Sequence, residues 1–306
     1  MGKRILSKWV ALCCCVLYLA SCNQADRQKQ PQQPATKLTF AYLTDVHLNR
    51  DNNGNGNEGL QKALKAAAEN GAEFVIFGGD NADTDALGDA EVTADTLHAR
   101  FARLVKESGL PAYFTIGNHD RFYLSEGKAD TLGFGMFEKH YGPTHCSFSQ
   151  KGVHFVILNS LYPQDDKAAY SVGAEQLAWL KADLDTVSPQ TPVIVSLHVP
   201  MLSLYYPVVE GTMKAWDMIA DSKAVVDLLK EHNTQLVLQG HQHIYEQIQE
   251  RNLWFVTAGA VSAFWWQGPF LTTQEGFLLV KVDEDNRISW EYIDYGWEIP
   301  GKYPEK

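Results

Sequence analysis

From Lys37 onward, short runs of β-branched and aromatic residues alternate with stretches whose apolar positions recur every three to four residues, the pattern of an α/β layered fold. Strands are predicted over Leu38 to Leu43, Phe74 to Phe77, Ala112 to Ile116, Val193 to Leu197 and Leu236 to Leu238. Helices are predicted over Glu58 to Asn70, closed by Gly71, and over Ala90 to Ser108, Ala174 to Asp185 and Ser222 to His232. Cys146 to Gln150 and Val153 to Leu158 read as a hairpin about Lys151-Gly152. A hairpin-rich segment follows, with turns at Arg251-Asn252 and around Glu284-Asp285-Asn286, and it carries enough strand for a second sheet. No linker-like composition and no fixed-period repeat interrupts residues 37–306, so they read as one domain.

The N-terminus follows a different pattern. Lys3, Arg4 and Lys8 precede an apolar run from Trp9 to Ala20 that is too short to cross a bilayer and has the form of a signal-peptide core. It ends Leu19-Ala20-Ser21-Cys22, which resembles the bacterial lipobox. That resemblance implies a signal peptide over residues 1–21, lipidation of Cys22 and a lipid-anchored protein of the bacterial cell envelope, periplasmic or surface-exposed. Residues 22–36 are polar, Gln-rich and interrupted by Pro31 and Pro34, the composition of a flexible tether.

Composition narrows the picture further. With 45% hydrophobic and 21% charged residues the chain can build a sizeable core. The formal charge is -11, and because the first 21 residues carry three basic and no acidic side chains, the remainder carries -14. A field of that sign repels phosphate backbones, so nucleic acid is a disfavoured partner. Cys146 is the one cysteine beyond Cys22, which excludes a disulfide framework in the body; it reads as a small buried hydrophobe.

Function is suggested by where the strands stop. Five of them deliver metal-capable side chains just beyond their carboxyl ends: Asp45 and His47, Asp80, Asn118 with His119 and Asp120, His198, and His241 with His243. In open α/β sheets that edge is where sites are built. Asp45 and His47 are two residues apart, as are His241 and His243, so on extended backbone each pair would point to one side. Carboxylate, imidazole and amide oxygens without thiolate suit zinc, manganese or iron. One carboxylate, Asp80, could touch each of two ions in a paired-metal site. Gly79, Gly117 and Gly240 would let the backbone approach closely.

In order, Asp45-x-His47, Gly79-Asp80, Gly117-Asn118-His119-Asp120, His198 and Gly240-His241-x-His243 resemble the five-block signature of the calcineurin-like metallophosphoesterases. The resemblance implies a four-layer αββα sandwich of two mixed β-sheets flanked by helices, with two divalent or mixed-valence ions at the top of the sheets. Asp45, His47, Asp80 and His243 would hold the first ion, and Asp80, Asn118, His198 and His241 the second. His119 would act on the leaving group, with Asp120 orienting its ring. Asp83 stands where purple acid phosphatases place a tyrosine ligand, so no coloured iron-tyrosinate site is expected. The pattern is most similar to the cyclic nucleotide phosphodiesterase branch, which implies hydrolysis of a small-molecule phosphodiester by a metal-bound hydroxide. A phosphomonoesterase acting on nucleotides, sugar phosphates or lipid head groups is the second reading. A non-catalytic, metal-stapled binding lipoprotein is the third, and such a protein would have no need of His119.

Outside those blocks, His98, His140, His145, His154 and His232 read as surface or satisfied core histidines, and Asp83 and Asp85 as caps of the segment that follows. Tyr205-Tyr206 and Phe264-Trp265-Trp266 fit equally a stacking wall above the metals and the packing of long loops.

Overall fold

The computed structural model describes residues 34–50, 55–88, 90–123, 130–164, 167–212 and 217–299. The stretch read as a signal peptide, the expected lipidation site Cys22 and most of the stretch read as a tether lie outside them. From Thr36 the chain forms one unit.

In chain order it runs β1 (Thr36–Leu43), α1 (Asn55–Glu69), β2 (Val75–Phe77), α2 (Glu91–Glu107), β3 (Ala112–Phe114) and a 3-10 turn at Asn118–Asp120. It continues with α3 (Gly135–Tyr141), β4 (Cys146–Gln150), β5 (Val153–Ile157), β6 (Tyr162–Gln164), β7 (Lys167–Ser171), α4 (Ala174–Leu184) and β8 (Val193–Ser196). A π-helical turn at Tyr206–Glu210 precedes α5 (Ser222–Lys230), β9 (Thr234–Gln239), β10 (Glu246–Glu250), β11 (Leu253–Thr257), β12 (Gly276–Asp283) and β13 (Ile288–Asp294). Two large sheets result, ordered β13-β12-β1-β2-β3 and β10-β11-β9-β8-β5-β4, beside the two-stranded β6-β7. The first pairs β1, β2 and β3 in parallel and adds β12 and β13 antiparallel; the second pairs β5, β8, β9 and β11 in parallel, with antiparallel edges.

Side-chain alternation turns these sheets into four layers. Leu38, Phe40 and Tyr42 of β1 face Phe155 and Ile157 of β5, Ile194 of β8 and Leu236 and Leu238 of β9 across the gap between the sheets. Phe40 stacks on Phe74 at 5.1 Å and meets Phe155 edge-on at 5.3 Å, locking that interface. The alternate residues Ala41, Leu43, Val75 and Phe77 face outward, against Leu60, Ala63, Leu64 and Ala67 of α1 and Leu97, Phe101 and Leu104 of α2. On the second sheet Val156, Val193, Val195 and Val237 face Leu180 and Leu184 of α4 and Val225 and Leu229 of α5. The fold is therefore the expected αββα sandwich.

The departures are local. Helix α1 begins at Asn55 rather than Glu58, one turn earlier, and buries Gly56 and Gly59. Helix α3 and the β6–β7 hairpin fall in stretches with too few apolar positions to show a period. Cys146 is half-buried rather than fully buried, and burial alone raises its thiol pKa.

Candidate active site

Strands β1, β2 and β3 of one sheet and β8 and β9 of the other all open at their carboxyl ends toward one edge, and the loops leaving them converge. The backbone in those loops is not extended as the two-residue spacings suggested. Asp45, His47, Asp80, His241 and His243 all adopt positive φ, between 50° and 73°. Left-handed geometry costs a non-glycine residue about 1 to 2 kcal/mol, and Asp and His are among the residues found in it more often than most. The turns are held by Asp45 N–H donating to the Gly79 carbonyl at 2.9 Å, His47 N–H to that of Asp80 at 2.9 Å, and Ser262 Oγ to that of Asp45 at 2.8 Å. A Cβ at Gly117 would collide with the backbone and carboxylate of Asp80, and one at Gly240 with Thr44 and Asp45.

These turns gather the side chains into two adjoining groups, Asp45 with His47 and His243, and Asp80 with His198 and His241, and into a third, His47 with Asp80 and His119, that overlaps both, each with donor atoms within 4.8 Å of one another. Asp80 Oδ2 lies 3.1 Å from His198 Nε2 and 3.8 Å from His47 Nε2, so this carboxylate touches both groups. Asn118 Oδ1 lies 3.2 Å from His198 Nε2.

The tautomers follow from what the outer ring nitrogens face. His47 Nδ1 donates to Asp83 Oδ1 at 2.6 Å, His243 Nδ1 to the Ala263 carbonyl at 2.6 Å and His198 Nδ1 to the Gly78 carbonyl at 2.9 Å. In a neutral ring each Nε2 is then a lone pair pointing inward. His47 and His243 set theirs only 2.9 Å apart, and His198 faces two oxygens. His241 Nε2 is buried without a hydrogen-bond partner. Converging lone pairs and an orphaned buried nitrogen are what a cation site requires, so the residues fit the paired ions implied by the sequence.

The same crowding shifts the titrations. Burial lowers His198, but Asp80 outweighs it and raises the ring to about 9. Burial, then His198, push His241 down to about 3. Burial works upward on Asp45, yet the facing His243 and His198 bring it to about 2. Asp80 is held well below the usual carboxylate range, burial being overcome by His198 and His119.

Two carboxylates read as caps from the sequence do other work. Asp83 orients His47 and also accepts from Asn49 Nδ2 at 3.2 Å. Asp85 Oδ1 accepts from His119 Nδ1 at 3.0 Å. The expectation that Asp120 orients His119 is thereby corrected. Asp120 is buried and accepts from the N–H groups of Asn81, Ala82 and Gly117 at 2.8 to 3.0 Å, and from Asn81 Nδ2 at 3.0 Å, so it braces the loops rather than the ring. Burial and Asp80 raise Asp120 to about 7 against the pull of those N–H donors. His119 donates its backbone N–H to Asp80 Oδ1 at 2.8 Å; burial lowers its ring pKa, but Asp80, Asp85 and Asp83 raise it to about 10.

A cleft of about 250 Å³ lies over the centre, lined by Asp80, His119, His241 and His243 and walled by Tyr206, Trp265 and Phe270. Trp265 packs over His243 at 4.4 Å and His47 at 5.0 Å. Trp266, its neighbour, is buried against Gly59 of α1 and Trp297 and belongs to the core. A larger hollow beside Ser188 and His232 holds no such group of ligands. His98 and His154 are buried with hydrogen-bond partners, as core histidines should be.

Fold and paired clusters together define an αββα sandwich with a candidate site for two metal ions at one edge of its sheets. A model of the calcineurin-like phosphoesterase family matches residues 38–245, and the chain belongs to that family. It is 31% identical over 148 residues to purple acid phosphatase 15 of Arabidopsis thaliana, covering 46% of this chain and 26% of the relative. It is 30% identical over 188 residues to metallophosphoesterase 1 of Rattus norvegicus, covering 58% of this chain and 46% of the relative. The chain thus spans less than half the length of either relative. Among solved structures a dimetal phosphatase from Danio rerio shares the fold, with a TM-score of 0.63, 13% identity, and coverage of 86% of this chain and 98% of that one.

Proposed function

We propose that the protein hydrolyses a phosphodiester of a small molecule at a centre of two zinc, manganese or iron ions. The observation that carries this reading is the placement of His119, a cleft-lining imidazole held by Asp85, beside two metal-capable groups that share Asp80. Asp45, His47, Asp80 and His243 would hold one ion, and Asp80, Asn118, His198 and His241 the other. When bound, the ions activate a water and neutralise charge on the phosphoryl oxygens. His119 uses Nδ1 for Asp85, which leaves Nε2 to give a proton to the departing oxygen. Asp83 and the Gly78 and Ala263 carbonyls keep three ligand rings in the tautomer that presents Nε2 inward. Diesters are favoured because Trp265, Phe270 and Tyr206 offer an apolar wall to the substituent that a monoester lacks, in keeping with the resemblance to the cyclic nucleotide branch.

The signal peptide, the lipidated Cys22 and the tether make this an envelope enzyme held to a bacterial membrane, a reading supported by the basic flank, apolar run and lipobox. Cys22→Ser should release the protein from membranes; unaltered detergent partitioning would count against the anchor. The activity is tested by reconstituting metal-free protein with each ion and assaying matched phosphomonoesters and diesters, cyclic nucleotides included. Faster turnover of monoesters throughout would overturn the diester reading.

A further inference from the structure

Arg121 follows Asn118-His119-Asp120 directly and leaves the 3-10 turn on extended backbone, with φ -75° and ψ 144°. Its Nε donates weakly to the Asn118 carbonyl at 3.4 Å, and its guanidinium lies over the rings of Tyr123 at 5.2 Å and Tyr170 at 5.7 Å. The surroundings are rich in acid: Asp80, Asp85, Asp120 and Asp217 all lie in or beside the centre. Yet among the described residues no carboxylate comes within ion-pair distance of Arg121, whereas Lys139, Lys181 and Lys230 on the outer surface all find one. A half-buried guanidinium lying over two aromatic faces presents a planar fork of donors, the geometry that suits an oxyanion.

Its position says which oxyanion. Tyr170 meets the His241 ring edge-on at 6.3 Å and also carries the guanidinium over its ring at 5.7 Å. Arg121 therefore shares a ring neighbour with a candidate ligand of the metal centre and is absent from the lining of the cleft above that centre. Asp80, His119 and His241, which would surround the scissile phosphorus, line that cleft, and Arg121 does not.

We propose that Arg121 is a substrate-binding residue that receives a second oxyanionic group, a phosphate or a carboxylate, carried by the phosphoester away from the bond that is cut. This rests on the hydrolase reading above and deepens it: the substrate bears at least two anionic groups, one over the ions and one on the tyrosine-backed arginine, with its apolar part against Trp265.

Three substrates with one leaving group test it: thymidine 5′-(p-nitrophenyl phosphate) with a free 3′-hydroxyl, with a 3′-phosphate and with a 3′-O-carboxymethyl group. Metal-loaded wild-type protein should show a lower KM for either or both charged substrates than for the hydroxyl one, and which of them gains more identifies the preferred group. Arg121→Gln should raise KM about tenfold for the preferred charged substrate and less than about twofold for the hydroxyl one, with kcat and metal content unchanged. Arg121→Lys, which keeps the stem and charge but not the planar fork, should fall between. Equal KM values for all three substrates in the wild type, or an equal loss on all three in Arg121→Gln, would overturn the proposal. Absence of turnover of all three by the wild type would instead count against the hydrolase reading itself.

Discussion

His119 donates its Nδ1 hydrogen to Asp85 at 3.0 Å, across a turn and 34 residues back in the chain, while Asp120 beside it faces away into four N–H donors. The two acids should separate under mutation. Asp85→Asn removes a charge that helps raise His119, so the descending alkaline limb of the pH-rate profile should move to lower pH, with kcat reduced about ten- to a hundredfold and metal content kept. Asp120→Asn should instead lower the melting temperature, because two loops lose a shared acceptor. An unmoved alkaline limb in Asp85→Asn would break the link between the two residues.

His119→Ala should likewise retain its metal while losing rate, most of all for esters with poor leaving groups, which most need a proton. Paired assays with p-nitrophenyl and alkyl leaving groups measure this. An equal loss for both would leave His119 with charge stabilisation alone.

The crowded imidazoles make the metal-free protein sensitive to alkali. His198 and His119, raised to about 9 and about 10 by the carboxylates that outweigh burial, contribute stability that is complete below their ordinary pKa and is lost as pH climbs through those values. Chelated protein should therefore melt several degrees lower at pH 9.5 than at pH 7. Metal-loaded protein should resist that change, because cation binding requires the deprotonated rings and strengthens as they lose protons. Parallel melts with chelator and with added zinc or manganese measure both arms, and equal alkaline losses would mean that the histidines are not ligands.

Asp80 contacts both candidate ligand groups, whereas Asn118 touches only His198 among the candidate ligand rings. Asp80→Ala should accordingly lose both ions and Asn118→Ala no more than one, as read by elemental analysis of dialysed protein. Two ions retained in Asp80→Ala would contradict a shared bridge.

The convergence of these candidate ligands was legible in the sequence because each sits just past an apolar strand, and a strand both announces itself and points its end. Asp83 and Asp85 were not, since nothing local distinguishes a capping aspartate from one whose partner, His47 or His119, lies 34 or more residues away. Nor does residue spacing reveal left-handed backbone. Asp45 and His47 converge through paired positive φ values and contacts with the Gly79 and Ser262 loops, a closure that exists only once both sheets are assembled. The aromatic run at 264–266 was ambiguous for a related reason: adjacent side chains on an irregular loop share no period, so only the assembled core decides which ring turns inward.

That division gives the sharpest contrast between neighbours. Trp266 is 1% exposed and fills the notch at Gly59, where any Cβ on the helix would meet its ring. Trp266→Ala should cost about 3 to 5 kcal/mol of stability and lower activity on every substrate alike, in proportion to the folded fraction. Trp265, held at φ 46° over His243 and His47, lines the cleft instead. Stacking a base on such a ring contributes about 1 to 3 kcal/mol. Trp265→Ala should thus raise KM about tenfold for a nucleotide diester while sparing a dialkyl phosphate ester, with little change in melting temperature. Loss of stability in Trp265→Ala equal to that in Trp266→Ala, with both esters equally impaired, would make the whole run a packing element and remove the wall from the substrate site.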